Sequence, residues 1–351
     1  MIYIDLRRST ITGVKKYTQR LIEQGIYDRA IGGDWLEKNF DIPHDRVVCN
    51  DYDFKANAKL PLKSGDVLHC PFSQYPYGFR GNTVVTIHDL IPLTVKGNVS
   101  FIKKLIYYIK LRYIVKHTKH IIAISESTRK DIVRYLKADP DKITVVYNGV
   151  NLKISKLEPE EAEYIYDKFM LAKDRKMILM VGNRQNNKNM GRALRAYAGM
   201  RNRDKVMVVI VGRKIKEEDE VDKAINDCGI RDSVAELQDI SDTDLNVLYN
   251  ISNVFLFPSL YEGFGTPPLE AMSCGTPVIC SNATSLPEVV GDAAYMVDPY
   301  DIEGMSEALD KVMFDEDLRT ELIGKGYKRI DHFRWEDTAA KTLEILRRYV
   351  G

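Results

Sequence analysis

The sequence has no long hydrophobic run, few cysteines and no low-complexity tract. No stretch approaches the roughly 18 to 20 apolar residues of a membrane span, and the opening segment MIYIDLRRST lacks the apolar core of a signal peptide. The five cysteines are scattered without the CxxC spacing of a zinc site, and their odd number argues against a disulfide framework (Cys49, Cys70, Cys228, Cys274, Cys280). We therefore expect a cytoplasmic protein with buried thiols.

Two cofactor motifs are also missing. No Gly-x-Gly-x-x-Gly follows any strand-like run, which argues against the dinucleotide site of a dehydrogenase. The Asp-x-Asp pairs at residues 51–53 and 139–141 are too short to be specific, neither clearly follows a buried strand, and Pro140 suggests a turn. The sequence therefore predicts no metal site and no bound cofactor.

The net charge of +1 hides an uneven distribution. Residues 1–150 hold 24 Lys and Arg against 15 Asp and Glu, a balance of +9, while the remaining residues hold 27 against 35, a balance of −8. A basic first half is compatible with nucleic acid, with an anionic membrane surface or with chance. Charge alone leaves these three explanations open.

At 351 residues the chain exceeds one ordinary core, and its pattern repeats. Short apolar runs alternate with helical stretches at 2–6, 66–70, 83–89, 120–125 and 143–149, and again at 177–182, 207–212, 253–258, 276–281 and 293–298. This alternation predicts the α/β class, with two Rossmann-like doubly wound parallel-sheet domains facing a cleft. The predicted divisions are an N-terminal domain (1–170), a C-terminal domain (171–333) and a terminal helix (334–351) packing back toward the first domain.

The stretch SLYEGFGTPPLEAMSCGTPV places two glutamates around a tight turn. The run before it, NVFLFP, has the apolar density of a buried parallel strand. Pro267 and Pro268 fit only the first turn of a helix. Glu262 therefore lies on the loop and Glu270 about one turn into the helix, and the N–H groups of residues 263–266 lie at its positive end, where an anion is favoured.

A second loop, VGNRQNNKNMGRAL, carries Arg184 and Lys188 between a strand that ends at Gly182 and a helix. Two cations beside a helix N-terminus suit a diphosphate, although a solvated loop explains this segment alone equally well. Glu262 and Glu270 favour the diphosphate ligand over a solvated loop. Phosphates would repel nearby carboxylates, unless the carboxylates accept hydrogen bonds from hydroxyls of the same ligand. A nucleotide sugar supplies both kinds of group.

These segments resemble the retaining glycosyltransferases of family 4, which have the GT-B fold, and most closely their mannosyltransferase-like bacterial polysaccharide members. EGFGTPPLE is similar to the Glu-x7-Glu motif of that family. The resemblance covers nearly the whole chain through TGVKKY, TIHDLIPL, IIAISESTRKDI, VVYNGV, VGNRQNNKN, SDTDLNVLY, LPEVVGDAAYMVDP and FRWEDTA. A lone Glu-x7-Glu is a weak signal, whereas this ordered series is a strong one.

The resemblance implies that the N-terminal domain binds the acceptor and the C-terminal domain binds the donor. It also implies a role for each motif residue. Glu262 would hold donor-sugar hydroxyls, Glu270 the ribose, and the backbone N–H groups between them the sugar and phosphate. Those N–H groups belong to Gly263, Phe264, Gly265 and Thr266. Lys188 corresponds to the phosphate-binding lysine of the family. Its matching arginine usually follows the glycine directly, whereas here Asn183 stands in that place and Arg184 follows it.

Two residues of the N-terminal half are implicated in the same way. The resemblance places His88, at the end of a strand, near the reacting sugar, and Gly13 in a loop whose backbone approaches donor or acceptor closely. A turn histidine bonded to the backbone and a plain turn glycine are the simpler alternatives. The surrounding motifs favour a place for His88 in the site.

The stretch FIKKLIYYIKLRYIVKHTKH, residues 101–120, has six Lys and Arg and no acid. One interpretation is a helix lying on an anionic bilayer at the inner face of the cell membrane, where each basic residue contributes about 1 kcal/mol. The other is an ordinary helix whose apolar face packs inward and whose cations face solvent. Both interpretations stay open.

The resemblance implies a metal-independent retaining hexosyltransferase of polysaccharide or lipopolysaccharide synthesis. Its donor would be a nucleotide diphosphate sugar, with GDP-mannose as the first candidate, and its acceptor a growing glycan, lipid-linked if residues 101–120 meet a membrane. His88, Lys188 and Glu262 are assigned to catalysis, with the leaving diphosphate stabilised chiefly by Lys188 and the loop N–H groups. Three alternatives remain: an epimerase or hydrolase of the same fold, a non-catalytic nucleotide-sugar sensor, and a polyanion-binding module, although no nucleic acid is expected.

Overall fold

The computed structural model describes residues 1–7, 12–32, 40, 42–49, 60, 62–95, 99–150 and 154–351. The chain forms two compact units. Unit 1 comprises residues 1–149 and 333–351, and unit 2 comprises residues 150–332. The Asp-x-Asp pair at 51–53 lies outside the described residues.

Unit 1 is built on a parallel sheet. Its strands are β1 (Ile2–Asp5), β2 (Arg29–Gly32), β3 (Val47–Cys49), β4 (Val67–Cys70), β5 (Asn82–Ile87), β6 (His120–Ala123) and β7 (Ile143–Val145). Across the described ranges these seven strands follow the order β3-β2-β1-β4-β5-β6-β7, with every neighbouring pair parallel. Within the described residues, the helices of the unit are α1 (Thr12–Glu23), α2 (Ile91–Thr94), α3 (Phe101–His117), α4 (Glu126–Leu136) and α14 (Trp335–Arg347).

Unit 2 repeats this architecture. Its strands are β8 (Lys176–Val181), β9 (Val206–Val211), β10 (Val234–Leu237), β11 (Val254–Phe257), β12 (Val278–Ser281) and β13 (Tyr295–Val297). They form a parallel sheet in the order β10-β9-β8-β11-β12-β13. The helices are α5 (Pro159–Ala162), α6 (Tyr164–Lys168), α7 (Met190–Ala198), α8 (Glu220–Cys228), α9 (Asp242–Ile251), α10 (Thr266–Ser273), α11 (Leu286–Val290), α12 (Ile302–Phe314) and α13 (Glu316–Ile330).

The strand sequences explain this layered arrangement. β9 reads VMVVIV and is buried along its whole length, as expected for a parallel strand that helices cover on both faces. Ser241 begins α9 as its Ser-x-x-acid pattern predicts, because the Ser241 hydroxyl accepts a 3.0 Å hydrogen bond from the Asp244 N–H. Two parallel sheets covered by helices confirm the predicted α/β class.

The order of strands in unit 2 locates a binding crevice. β8 and β11 are neighbours in the sheet, although β9 and β10 separate them along the chain. The chain runs outward to one side after β8 and to the other side after β11, so the strand order reverses between them. Open parallel sheets bind ligands at such a switch point, at the carboxyl ends of the strands. The loops that leave this point carry Lys188 and Glu262.

Residues 154–170 belong to unit 2, whereas the sequence pattern groups them with the first domain. Two side chains of α9 hold them there. Asn246 Oδ1 accepts a 3.0 Å hydrogen bond from the Ser155 N–H, and Asn250 Oδ1 accepts a 2.9 Å bond from the Leu157 N–H. The C-terminal helix α14 lies in unit 1, where Trp335 is buried in an apolar cluster with β1.

Candidate functional site

The loop after β8 brings Lys188 against the end of the strand. Gly182 has a φ of +145°, which L side chains rarely adopt, and a Cβ at this position would lie 3.1 Å from Lys188 Cε. A 3-10 turn at Asn186–Lys188 follows, and Asn189 continues it in the left-handed region with a φ of 57°. Glycine at position 182 therefore leaves room for the lysine stem to pass beside the backbone.

Two buried asparagines join this loop to the loop after β11. The Leu260 N–H donates to the Asn187 carbonyl oxygen at 2.7 Å, and Asn187 Nδ2 donates to the Tyr261 carbonyl oxygen at 3.2 Å. Asn189 Nδ2 donates to the carbonyl oxygen of Pro258 at 3.1 Å. Because these bonds are shielded from water, they fix the two loops of the switch point relative to one another.

Lys188 and Glu262 form an ion pair between the two loops. Lys188 Nζ donates to Glu262 Oε1 at 2.7 Å, and the two side chains are 18% and 12% exposed. The same Nζ lies 5.0 Å from the centroid of the Phe257 ring, a favourable cation–π distance. An ammonium group has three donors, so Lys188 can bind an anion while it keeps its bond to Glu262.

The segment after β12 supports the loop that follows Glu262. Thr284 Oγ1 accepts a 3.0 Å hydrogen bond from the Glu262 N–H, and the buried Ser285 hydroxyl donates to the carbonyl oxygens of Glu262 at 3.0 Å and Phe264 at 2.8 Å. Thr284 has a φ of 53°, a genuine outlier for a β-branched residue. Strain of this kind persists where the surrounding structure holds the backbone in place. Here the strained residue, Thr284, supports the loop of the candidate site.

α10 begins directly after the loop. Gly265 precedes it with a φ of +103°, and a Cβ at this position would lie 2.5 Å from Leu286 Cδ2, so only glycine fits. Pro267 and Pro268 occupy the first turn of the helix, as predicted, where an N–H group would have no intrahelical acceptor. The backbone of residues 263–266 therefore lies at the positive end of the helix dipole.

Glu270 lies one turn into α10, as predicted. Its Oε2 accepts a 3.0 Å hydrogen bond from the Tyr249 hydroxyl. Burial and the nearby Glu270 charge raise the pKa of Tyr249 well above its usual range, so the phenol remains a donor. This bond orients the Glu270 carboxylate. The two glutamates of the motif thus lie on either side of a helix N-terminus.

Arg184 lies in a buried acidic cluster. Its guanidinium donates to Asp219 through Nε at 2.8 Å and Nη2 at 2.7 Å, contacts Asp222 at 2.7 Å, and also donates to Glu236. The Arg184 side chain is only 2% exposed. Burial alone would raise the pKa of Asp222, but hydrogen bonds from Lys214 and Arg184 hold it well below its usual range. In the structure Arg184 therefore ties the loop after β8 to the start of α8, and its phosphate contact stays a prediction.

His88 and Gly13 belong to unit 1. His88 Nε2 lies 2.7 Å from the Pro71 carbonyl oxygen, which can only accept, so Nε2 carries the proton and Nδ1 is left as an acceptor. Burial lowers the pKa of His88 to about 4, and the ring is neutral near pH 7. Gly13 lies exposed in the first turn of α1 instead of a loop, and space is open where its Cβ would be. The roles of both residues stay predictions.

A cavity of about 450 Å³ also adjoins the loop after β8. Gln185, Arg192 and Arg195 line it together with Asp219 and Glu220. Arg195 lies 3.9 Å from Glu220, so the cationic wall of the cavity is partly balanced by acids. Lys188 and the two motif glutamates do not line this cavity, and the loop constellation around them is the better candidate for an anionic ligand.

Sequence reasoning missed Thr284, Ser285 and Tyr249, which hold the two glutamates. Thr284 and Ser285 bond to backbone groups of a loop that lies 21 to 23 residues earlier in the chain. No local sequence pattern predicts such a contact. The Leu-Pro pair after Ser285 does signal the start of α11. That signal locates the supporting segment without showing what it supports.

Two families match the chain. The family described as "Glycosyl transferases group 1" matches residues 163–329, and the family "Glycosyltransferase Family 4" matches residues 38–154. The second match lies within unit 1 except for its last residues, and the first lies within unit 2. Both units are therefore of the glycosyltransferase type.

Curated relatives agree with these matches. The O-antigen chain mannosyltransferase B of Escherichia coli is 30% identical over 289 residues, which cover 80% of this chain and 74% of that protein. The serotype-specific mannosyltransferase WbdA of Escherichia coli is 30% identical over 275 residues. That match covers 75% of this chain and 33% of WbdA, so the chain spans about a third of the length of that relative.

Solved structures confirm the GT-B fold. The crystal structure of Anabaena Alr3699/HepE in complex with UDP and glucose matches with a TM-score of 0.80 over 99% of both chains, at 17% identity. WaaG, a glycosyltransferase involved in lipopolysaccharide biosynthesis, matches with a TM-score of 0.75 over 99% of both chains, also at 17% identity. At such identities the likeness concerns the fold alone.

Proposed function

The chain belongs to the family 4 glycosyltransferases, and from this premise we propose that it transfers mannose from GDP-mannose to a growing surface glycan with retention of configuration. Mannose is favoured because two relatives at 30% identity are named mannosyltransferases, and one of these is named for the O-antigen chain. The observation that carries the proposal is the Lys188–Glu262 ion pair at the switch point, beside the N-terminus of α10.

The donor diphosphate would bind where positive charge is concentrated. Lys188 supplies a cation and residues 263–266 supply the positive end of a helix dipole. As the glycosidic bond to phosphate breaks, negative charge grows on the leaving diphosphate. Groups already held in place stabilise that charge more in the transition state than in the ground state. Their fixed position is supported by Thr284, Ser285 and the asparagine links between the loops.

The two glutamates would read the hydroxyl groups on either side of the diphosphate. Glu262 uses one oxygen for Lys188, and its second oxygen could accept a hydrogen bond from the sugar. Glu270, oriented by Tyr249, would accept from the ribose. Because Lys188 partly neutralises Glu262, a carboxylate can approach the diphosphate at a lower electrostatic cost.

Retention follows in this proposal from a front-face reaction. The acceptor hydroxyl oxygen bonds to the anomeric carbon on the face from which the diphosphate departs, and a phosphate oxygen takes the acceptor proton. No protein base is needed, and the positive charge of Lys188 serves in place of a metal ion. His88, whose Nδ1 is an acceptor at neutral pH, is proposed to contact a hydroxyl of the reacting sugar.

The acceptor is proposed to be a lipid-linked glycan, so the enzyme would work at the inner face of the cell membrane. The name of the O-antigen relative supports a surface polysaccharide as the product. A lipid-linked acceptor also requires that the protein reach a membrane surface.

The experiment that tests the function is a transfer assay with radiolabelled GDP-mannose and extracted lipid-linked glycan. We expect label in the glycan, an α-linked product by NMR and undiminished activity in EDTA. Loss of activity in EDTA would contradict the metal-independent mechanism, and a β-linked product would contradict retention. Release of free mannose without transfer would instead support a hydrolase.

A further inference from the structure

α3 presents an apolar surface that the fold leaves uncovered. Its last turns are anchored in unit 1 by Leu111, Ile114 and Val115, which are buried. Five apolar side chains of its first three turns are between 47% and 79% exposed: Phe101, Ile102, Leu105, Ile106 and Ile109. Elsewhere in the described part of the chain, large exposed apolar side chains are scattered. A concentration of this kind usually marks an interaction surface.

Helical geometry places these side chains together. Leu105 and Ile109, like Ile102 and Ile106, are four residues apart and so share one face. The same face continues toward the C-terminus with Arg112 and Lys116, so it changes from apolar to basic along the helix. The second interpretation of this segment, in which its apolar face packs inward, therefore fails for Ile102, Ile106 and Ile109.

A basic concave surface continues from the C-terminal half of α3. It encloses about 710 Å³ and is lined by Arg112, Lys116 and His117 of α3 together with Lys137 and Lys142. Asp139 is the acid that shares this lining. Along the sequence, no Asp or Glu occurs between Asp89 and Glu126. A negatively charged partner is thus favoured along the whole length of the helix.

We propose that α3 and this basic concave surface dock the protein on an anionic phospholipid bilayer. The exposed apolar side chains insert among the acyl chains near the headgroups, and the cations contact lipid phosphates. Docking is peripheral, since no helix in the described ranges is long and apolar enough to cross a bilayer. The proposal goes beyond glycosyl transfer and does not depend on it, because binding to vesicles needs neither donor nor acceptor.

Charge and apolarity together favour a bilayer over two other partners. A second copy of the chain placed symmetrically on α3 would cover the apolar side chains but would offer the cations almost no negative charge, because a two-fold interface joins like surfaces and Asp139 is the acid in the basic lining. A soluble polyanion would use the cations but would leave Phe101 and the exposed isoleucines in water. A bilayer with anionic lipids satisfies both parts of the surface.

Flotation with vesicles tests the proposal. The full chain is mixed with vesicles of phosphatidylcholine alone, or with vesicles that also contain phosphatidylglycerol. We expect binding to the anionic vesicles only. Ile102→Gln/Ile106→Gln/Ile109→Gln should weaken this binding by more than about tenfold, because the bilayer would no longer bury the CH₂ and CH₃ groups of three isoleucines. Lys103→Gln/Lys104→Gln/Lys116→Gln should weaken it too, and added salt should do the same.

Matched variants separate docking from unfolding and from other partners. Ile106→Gln is compared with Ile215→Gln, which removes an exposed isoleucine of unit 2 and should bind like the unchanged protein. Fluorescence of Ile106→Trp should be quenched by brominated acyl chains if the helix inserts. All variants are checked for an unchanged melting temperature.

Three results would overturn the proposal. The first is an absence of binding to anionic vesicles. The second is a dimer in solution that the triple isoleucine variant abolishes, which would assign the surface to a second copy of the chain. The third is vesicle binding that competes with soluble polyphosphate and is unaffected by the isoleucine substitutions, which would indicate a polyanion site.

Discussion

Lys188 Nζ and Glu262 Oε1 lie 2.7 Å apart and join the loops that leave the two central strands of unit 2. The pair places a cation and a carboxylate at the point where the strand order reverses. Neither residue is buried deeply enough to be inaccessible. The buried Asn187, next to Lys188, bonds to the Tyr261 carbonyl oxygen, and the half-buried Thr284 accepts from the Glu262 N–H. The proposed donor site is built around this contact.

Removal of the cation is expected to affect catalysis more than folding. Lys188→Ala should lower kcat/KM for the donor by about 10²- to 10³-fold, the usual effect of losing one group that stabilises a developing anion. Lys173→Ala, which removes a lysine from an exposed ion pair, is the control and should be neutral. The double variant Lys188→Ala/Glu262→Gln should be less impaired than the sum of its parts, because the two residues interact. Unchanged donor kinetics in Lys188→Ala would contradict the assignment.

Gly265→Ala should disturb the loop through two effects. The new Cβ meets both a φ of +103° and Leu286 Cδ2 at 2.5 Å. Gly229→Ala is the matched control, because Gly229 has a φ of +61° with open space around the Cβ position. Gly229→Ala should lower the free energy of unfolding by about 1–2 kcal/mol, the cost of the left-handed backbone alone. Gly265→Ala should lose more than this in urea denaturation and should also weaken donor binding. Equal losses in the two variants would show that the Leu286 contact is unimportant.

Arg184→Ala should mainly reduce stability. Three carboxylates would lose their buried guanidinium partner, a change of about 3–5 kcal/mol for a buried ion pair. The pKa of Asp222 is depressed in the folded state, so its contribution is fully present above the carboxyl's ordinary pKa of about 4 and is lost as pH falls below it. The acid limb of the stability curve should therefore be shallower in Arg184→Ala. A loss of donor affinity in folded Arg184→Ala, without a loss of stability, would instead assign Arg184 to the phosphate.

His88 should titrate far below neutrality. Burial lowers its pKa to about 4, so the unfolded chain binds a proton in a pH range where the folded chain does not. The stability contributed by this group is therefore complete above the ordinary pKa of about 6.5 and is lost as pH falls from there toward 4. NMR of the His88 ring should show no titration between about pH 5.5 and 8, because this range lies well above the folded-state pKa of about 4. A midpoint near 6.5 would contradict the neutral ring.

The main strands of the fold were predictable because they are apolar and β-branched. All ten apolar runs identified from the sequence form strands, which are ten of the thirteen strands in the described residues. β2 (RAIG), β3 (VVC) and β10 (VAEL) were missed. Short strands of this kind are stabilised by the sheet they join rather than by their own sequence.

The site was partly predictable for a similar reason. The positions of Glu262, Glu270 and the prolines follow from local rules about strands and helix starts. The partners of Arg184 do not, because Asp219 and Glu236 lie 35 and 52 residues away and only the folded chain brings them together. The left-handed conformation of Thr284 could not be predicted either, because β-branched residues rarely adopt a positive φ.

The most direct test of the account is thermal stabilisation by a panel of nucleotide sugars, with the unchanged protein compared with Lys188→Ala and Glu270→Ala. A ligand at a hundredfold excess over Kd should stabilise the folded protein by about 2.7 kcal/mol. The account predicts a shift with GDP-mannose that both variants weaken. The absence of a shift with any nucleotide sugar, in protein shown to be folded, would contradict it.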